Sequence, residues 1–336
     1  MTPAAPEVRP DGPALLDRFG RQHTYVRVSV TDRCNYRCVY CMPAEGMSWI
    51  PRADVLSFEE IARIVGVMAS MGVRRVRLTG GEPTVRRDIV ALVRALAAIP
   101  GIDDIAMTTN GQALGALASP LAQAGLTRVN VSIDSLDPGR FSRITRGGDL
   151  AAVLAGIAAA RAAGLLPIKL NVVVMAGEND DEIVSIARAF QPHAADTIVR
   201  YIEYMPFEGR WHQNVSAAEM RRRLAEIGPV LPSAERGGGG PAKYWTVGGL
   251  RVGFIAPLTE HFCATCNRLR LQADGHLRTC LGYEDTPSLR DLVRSGGSDA
   301  DLRGAIQAIV LGKPAGHAAE TEGGRNFEGV MTAIGG

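Results

Sequence analysis

The sequence has no run approaching the ~20 uninterrupted apolar residues that a membrane-spanning helix needs, which excludes a helical membrane protein. Its first residues, MTPAAPEVRPDGPALLDRFGRQ, lack a charged start followed by an apolar stretch. No secretory leader is expected, and a cytoplasmic location is. An excess of either charge is also missing: 37 Lys and Arg stand against 35 Asp and Glu, a net +2. Neither nucleic acid nor a membrane surface is therefore expected as a partner, and any anionic ligand must be met by a local cluster of basic residues. Cysteine is scarce, six in 336 residues with none between Cys41 and Cys263, which excludes a disulfide framework in a cytosolic chain of this size. What remains is a globular composition, 46% hydrophobic and 21% charged, long enough for one large domain or two ordinary ones.

The few cysteines fall into two triads. Cys34, Cys38 and Cys41 have the spacing CxxxCxxC inside TDRCNYRCVYCMP, with no His or fourth Cys nearby. Three thiolates this close in sequence can wrap one iron–sulfur centre. A structural zinc site usually takes four ligands, so zinc would need a distant partner. Three ligands on a four-iron cluster leave one iron open, and an open metal position implies a small molecule bound there. Cys263, Cys266 and Cys280 form the second triad, in HFCATCNRLRLQADGHLRTC. Taken alone it reads better as a zinc ribbon completed by His261 or His276.

Between the triads, apolar runs predict strands at 25–30, 73–79, 104–110, 128–134, 167–174 and 197–204. Helical patterns are predicted at 58–71, 88–98, 112–124, 149–163 and 180–190. The first of these opens on a Ser57/Glu60 capping box. Six alternating βα units predict an α/β fold, an incomplete TIM-type (βα)6 barrel, although a doubly wound sheet also places ligands at strand ends. Polar residues do gather at those ends: Cys34, Gly81, Thr108, Asn110, Ser132, Asp134 and Met205. Beyond Tyr204, GRWHQN and ERGGGGP read as loop and linker. YWTVGGLRVGFI then reads as a hairpin turning at Gly248-Gly249. Helices at about 288–294 and 299–312 follow. The expected organisation is a mobile N-terminal tail (1–17), a barrel (18–240) and a C-terminal α+β region (241–336) bearing the second triad and the Gly-Gly end.

CxxxCxxC with Tyr40 before its last cysteine, together with Thr79-Gly80-Gly81-Glu82-Pro83, resembles the radical S-adenosylmethionine (SAM) superfamily. With RVSVTDRCNYRCVYC, VRLTGGEPTVRRD, TTNG, NVSIDSL, FSRITRG, RYIEYMP and FCATCNRLRLQADGHLRTCL, the chain resembles the GTP 3′,8-cyclases of molybdenum-cofactor biosynthesis over nearly its whole length. The resemblance implies two [4Fe–4S] clusters, one on each triad, with SAM on the first and the guanine of GTP on the second. It implies SAM contacts from Tyr40, Gly81, Glu82, Ser132 and Met205. The implied GTP contacts are Arg27, Arg77, Thr108 (or its neighbour Thr109), Lys169, Arg268, Leu269 and Arg270. Arg27, Arg268, Arg270 and the terminal Gly335 and Gly336 are further implied in catalysis. The implied reaction removes hydrogen from ribose C3′ with a 5′-deoxyadenosyl radical, closes C3′ onto C8 and adds an electron and a proton. A homodimer, a reduced flavodoxin or ferredoxin, and cyclic pyranopterin monophosphate synthase are the implied partners. A radical SAM enzyme of another class, such as a peptide modifier, and a metal-stabilised binding module remain as alternatives.

Overall fold

The structure, a computed structural model, describes residues 14–205, 213–233, 240–280 and 286–316. Six strands alternate with helices in the first 203 residues. They are β1 (Tyr25–Ser29), β2 (Arg75–Thr79), β3 (Asp104–Thr109), β4 (Arg128–Ser132), β5 (Ile168–Val174) and β6 (Thr197–Glu203). The helices are α1 (Phe58–Ser70), α2 (Ile89–Ala97), α3 (Leu114–Gln123), α4 (Pro138–Thr145), α5 (Leu150–Ala162) and α6 (Ile183–Phe190). β1 to β6 pair in chain order and in parallel. α1 starts on the predicted capping box, with both Ser57 and Glu60 engaged. α4 escapes the apolar pattern because most of it is polar. It is set instead by Asp137 as N-cap and Pro138 at the first turn.

Each strand divides its side chains between two faces. Val26, Val28, Val76, Leu78, Met107, Val129, Val131, Leu170 and Val199 join the hydrophobic core under the helices. The alternate positions face one cavity of ≈ 320 Å³. Eight consecutive strands contribute to its wall, through Arg268, Arg27, Arg77, Thr108, Ser132, Asn171, Arg200 and Ile255. Eight strands laid flat span about 34 Å at ~4.8 Å apiece. Only a strongly curved sheet brings them to one pocket, as a barrel wall does.

The C-terminal region does not stand apart from this barrel. α7 (Ala217–Leu224) is followed by β7 (Val230–Pro232), β8 (Lys243–Val247), β9 (Leu250–Ile255), β10 (Arg268–Leu271) and β11 (Leu277–Arg278), then α8 (Leu289–Arg294) and α9 (Asp299–Leu311). The hairpin β8–β9 turns at Gly248-Gly249, both with positive φ. β9 lies parallel beside β6, whereas β10 lies parallel beside β1 at the opposite flank. One sheet of 11 strands results, and the expected boundary at 240/241 falls between the paired strands β7 and β8. The expected tail also ends sooner than residue 17. Leu15 is 1% exposed, its N–H donates to the Met71 carbonyl, and its own carbonyl accepts from His23 N–H. A buried leucine with paired backbone is part of the core, not of a tail.

Candidate active site

At one end of the cavity, the loop after β1 carries Cys34, Cys38 and Cys41. Arg37 N–H and Val39 N–H donate to Thr145 and Ile144 carbonyls at the end of α4, at 3.0 and 2.9 Å. Arg146, a non-glycine residue at φ +53°, donates Nη1 to the Arg37 and Met42 carbonyls at 3.1 and 2.9 Å. The loop is thus closed from outside by α4 and its C-terminal residue. From the β2 side, Gly81 N–H donates to Thr31 O at 2.8 Å and Glu82 N–H to Arg33 O at 2.9 Å. A Cβ on Gly81 would stand 2.4 Å from Arg33 O and 2.5 Å from Asp32 O. Glycine is therefore required here by the protein's own backbone, before any ligand is considered.

Glu82 is 1% exposed, and its carboxylate accepts from Thr84 N–H, Thr109 Oγ1 and Asn110 N–H at 3.0, 2.7 and 2.6 Å. Burial pushes its pKa up against those bonds. Glu82 thus braces the ends of β2 and β3, and this accounts for Thr109. Both threonines border the cavity, but Thr108 lies on the strand face of Ala106 and Arg77, whereas the Thr109 hydroxyl is spent on Glu82. Tyr40 is fixed by donating its hydroxyl to Asp134 Oδ2 at 2.7 Å, while Asp134 Oδ1 accepts from Val173 N–H at 2.9 Å. Burial pushes the Asp134 carboxyl up to about 6. Ser132, Asn110 and Met205 line the same end.

The second triad lies on the same cavity wall, with Cys263 and Cys266 on a tight turn (Cys263–Thr265) before β10 and Cys280 after β11. The two triads differ electrostatically. Burial pushes the Cys34 and Cys38 thiols up. Burial acts the same way on Cys266, but Arg268 and Lys313 outweigh it and bring the thiol down to about 6. No three His, Cys, Asp or Glu side chains among the described residues converge as a single-ion site. His261 and His276, the possible fourth zinc ligands, are not on the cavity wall.

Between the triads runs a row of arginines. Arg270, Arg27 and Arg77 occupy paired positions on β10, β1 and β2, all facing the cavity. Arg200 joins them from β6, its Nε and Nη2 donating to Asn171 Oδ1 at 2.9 and 2.6 Å. Burial, followed by repulsion from Arg270, Arg77 and Arg268, brings the Arg27 guanidinium down to about 9. Burial likewise brings Arg200 and Arg270 down to about 10. Like charges at directly paired sheet positions are unfavourable in isolation and favour an anion between them.

Two expected contacts sit elsewhere. Leu269, between the two arginines of β10, points the other way into the core and is 0% exposed, so only its backbone can meet a ligand. Lys169 lies outside the cavity wall, paired with Asn130 and Ile198 one step below Asn171. Burial, then Arg200, Arg128 and Arg77, brings its ammonium down to about 6. Gly335 and Gly336 lie outside the described residues. Arg21, Asn171, Arg200 and Lys313 line the cavity and were not foreseen. Arg200 was legible: an arginine inside the apolar strand TIVRYIEY carries the same signal as the lysine inside PIKLN. Arg21 and Lys313 lie in no motif.

A curved parallel sheet with a three-cysteine loop after its first strand, strapped by a Gly-Gly-Glu segment after its second, defines a radical SAM enzyme. The comparisons with known proteins agree. The model of the Radical SAM superfamily matches residues 28–190, and that described as Molybdenum Cofactor Synthesis C matches residues 197–319. A GTP 3′,8-cyclase of Moorella thermoacetica is 45% identical over 96% of this chain and 100% of its own length. One from Rhodopseudomonas palustris is 48% identical over 94% of each. The crystal structure of Streptococcus suis SuiB, 14% identical, superposes with a TM-score of 0.62 over 93% of this chain and 78% of its own, which is a likeness of fold. The chain belongs to the GTP 3′,8-cyclase family of molybdenum-cofactor biosynthesis. Membership of the superfamily implies a [4Fe–4S] cluster and SAM.

Proposed function

We propose that the chain converts GTP to 3′,8-cyclo-7,8-dihydro-GTP, with SAM at the Cys34 end of the cavity and GTP spanning from there to the Cys280 end. The observation that carries this reading is the row of buried arginines between two incomplete cysteine triads. A nucleoside triphosphate supplies both the anion the arginines call for and a base for the second triad. When bound, [4Fe–4S] clusters on the two triads supply the electron that opens SAM to a 5′-deoxyadenosyl radical at one end and an iron for guanine at the other.

The protein's own part is positioning. The reaction joins ribose C3′ to guanine C8, so both ends of one nucleotide must be held still relative to SAM. Arg27, Arg77 and Arg200 meet the triphosphate through forked donors, Lys169 lies beneath them as an amine that an arriving anion returns to its charged form, and Thr108 offers a hydroxyl. Arg268 and Arg270, with the Leu269 backbone, orient the base beside the second triad. Tyr40, held by Asp134, frames SAM together with Gly81, Ser132 and Met205, and Glu82 holds that end in shape. Gly335 and Gly336 belong to the same reading as residues small enough to enter the cavity. So do a homodimer, a flavodoxin or ferredoxin as reductant, transfer of the product to cyclic pyranopterin monophosphate synthase, and a cytoplasmic setting. Among the described residues, no helix is long and apolar enough to cross a membrane.

The test is anaerobic reconstitution, reduction with SAM and GTP, and mass spectrometry of the products. The expected result is 5′-deoxyadenosine together with an isomer of GTP. Deoxyadenosine formed at the same rate without GTP, and no modified nucleotide, would assign the enzyme another substrate.

A further inference from the structure

Lys313 follows α9, far in sequence from both triads, and is 2% exposed. A buried ammonium is costly unless acceptors and negative charge meet it. Its Nζ donates to the Arg268 carbonyl at 2.8 Å and lies 3.6 Å from Cys266 Sγ. The buried carboxylate of this corner, Asp17, is already held by Arg21 Nε at 2.6 Å and approached by His23 Nε2 at 3.1 Å. The same Arg21 fastens Lys313's neighbours to the triad. Its Nη1 donates to the Cys263 and Ala315 carbonyls at 2.9 and 2.8 Å, and its Nη2 to the Pro314 carbonyl at 2.6 Å. The ammonium and the cysteine turn are thereby held as one piece, so its distance from the sulfur is fixed by structure.

The geometry points to Lys313 as a positioning residue for an iron–sulfur cluster on Cys263, Cys266 and Cys280, its charge offsetting the cluster's and raising its reduction potential. This rests on the reading of the second triad as a cluster site. A four-iron cluster on three thiolates is negative in both of its common states, and more so once reduced. A fixed cation against a ligand sulfur in a low-dielectric site therefore favours the reduced form. Arg268 Nη2, 3.7 Å from the same sulfur, acts in the same direction. Arg268 is also assigned to the substrate, whereas Lys313 meets the thiol and a backbone carbonyl.

The competing account makes Lys313 a brace that ties the chain to β10 through the Arg268 carbonyl. Lys313→Met and Lys313→Arg separate the two in the reconstituted holoenzyme. Each cluster is titrated by electron paramagnetic resonance under controlled potential, the first marked by its response to SAM and the second by its response to GTP. Lys313→Met is expected to move the midpoint of the GTP-responsive signal to more negative potential and leave the SAM-responsive signal in place. Lys313→Arg is expected to return it towards the parent. Unchanged midpoints in the Met variant, or an Arg variant displaced as far as the Met variant, overturn the inference. Loss of about four irons from the Met variant alone supports it, and the same loss from both variants overturns it. A parent protein holding only about four irons would overturn the second-cluster reading and this inference together.

Discussion

Arginine does two separate kinds of work in this protein. Arg21 and Arg146 spend their donors on backbone carbonyls and hold loops in place. Arg27, Arg77, Arg200 and Arg270 turn towards the cavity and repel one another there. Arg200→Ala is expected to raise the KM for GTP about 10- to 100-fold, the loss of charged hydrogen bonds worth ~1.5–3 kcal/mol, while melting changes little. Steady-state kinetics and a thermal melt check both halves. Asp17 shows the reverse economy of charge. Burial works to raise its pKa, but hydrogen bonds from Arg21, His23 and Phe19 outweigh it and hold the carboxyl at about 2, below the ordinary 3.8. A carboxyl with a depressed folded-state pKa contributes stability above about 4, and that contribution is lost as pH falls towards 2. Asp17→Asn should therefore cost about 2 kcal/mol at neutral pH, with the difference from the parent shrinking below pH 4. Urea unfolding of both proteins across that range measures it. The residue-level chemistry was only partly legible. The cysteines announced themselves by spacing, and Tyr40 and the motif arginines entered only through the family resemblance; Glu82 as a brace to Thr109 and Asn110 and Lys313 beside Cys266 needed the tertiary structure, because those partners are distant in sequence.

The elements were nearly all readable, because each follows from a local rule. Six βα strands and five of their helices fall where period and capping put them. Ser57 is the clearest case: its hydroxyl accepts from Glu60 N–H at 3.2 Å while Glu60 Oε2 accepts from Ser57 N–H at 2.7 Å. Ser57→Ala should cost about 1 kcal/mol of stability and leave GTP turnover unchanged, since α1 lies on the outer side of the barrel. A melt paired with product assay tests this. The elements not foreseen are α4, α7 and the short strands β7, β10 and β11. α4 is mostly polar, and its value lies in what its end does: Thr145 and Ile144 carbonyls hold the cysteine loop. β10 carries arginines at alternate positions of RLRL, so its pattern resembles a solvent-facing edge strand. In place it is a wall strand, with Arg268 and Arg270 facing the cavity and Leu269 and Leu271 in the core.

At the scale of the whole molecule, the two triads belong to one cavity only because the C-terminal chain returns to the first strand. β10 beside β1 sets Arg270 against Arg27 and carries Cys266 round to the wall that already holds Cys34. Coupling between the ends follows from that shared space. Cys280→Ala is expected to remove about half of roughly eight irons and to leave SAM cleavage, while the cyclised nucleotide disappears. Iron analysis and product assay on the same preparation check it, and a variant that still cyclises GTP would show that the second triad is dispensable. The sequence by itself determined the six βα strands, five of their helices and the family, because those depend on residue type at short spacing. Tertiary structure alone decided that the C-terminal region flanks the barrel's sheet on both sides instead of forming a separate unit. It also placed Lys169 beneath the cavity, turned Leu269 away from it, and put Arg21 and Lys313 against the second triad. Those outcomes depend on which strands become neighbours, and pairing between residues some 240 apart leaves no trace in local periodicity.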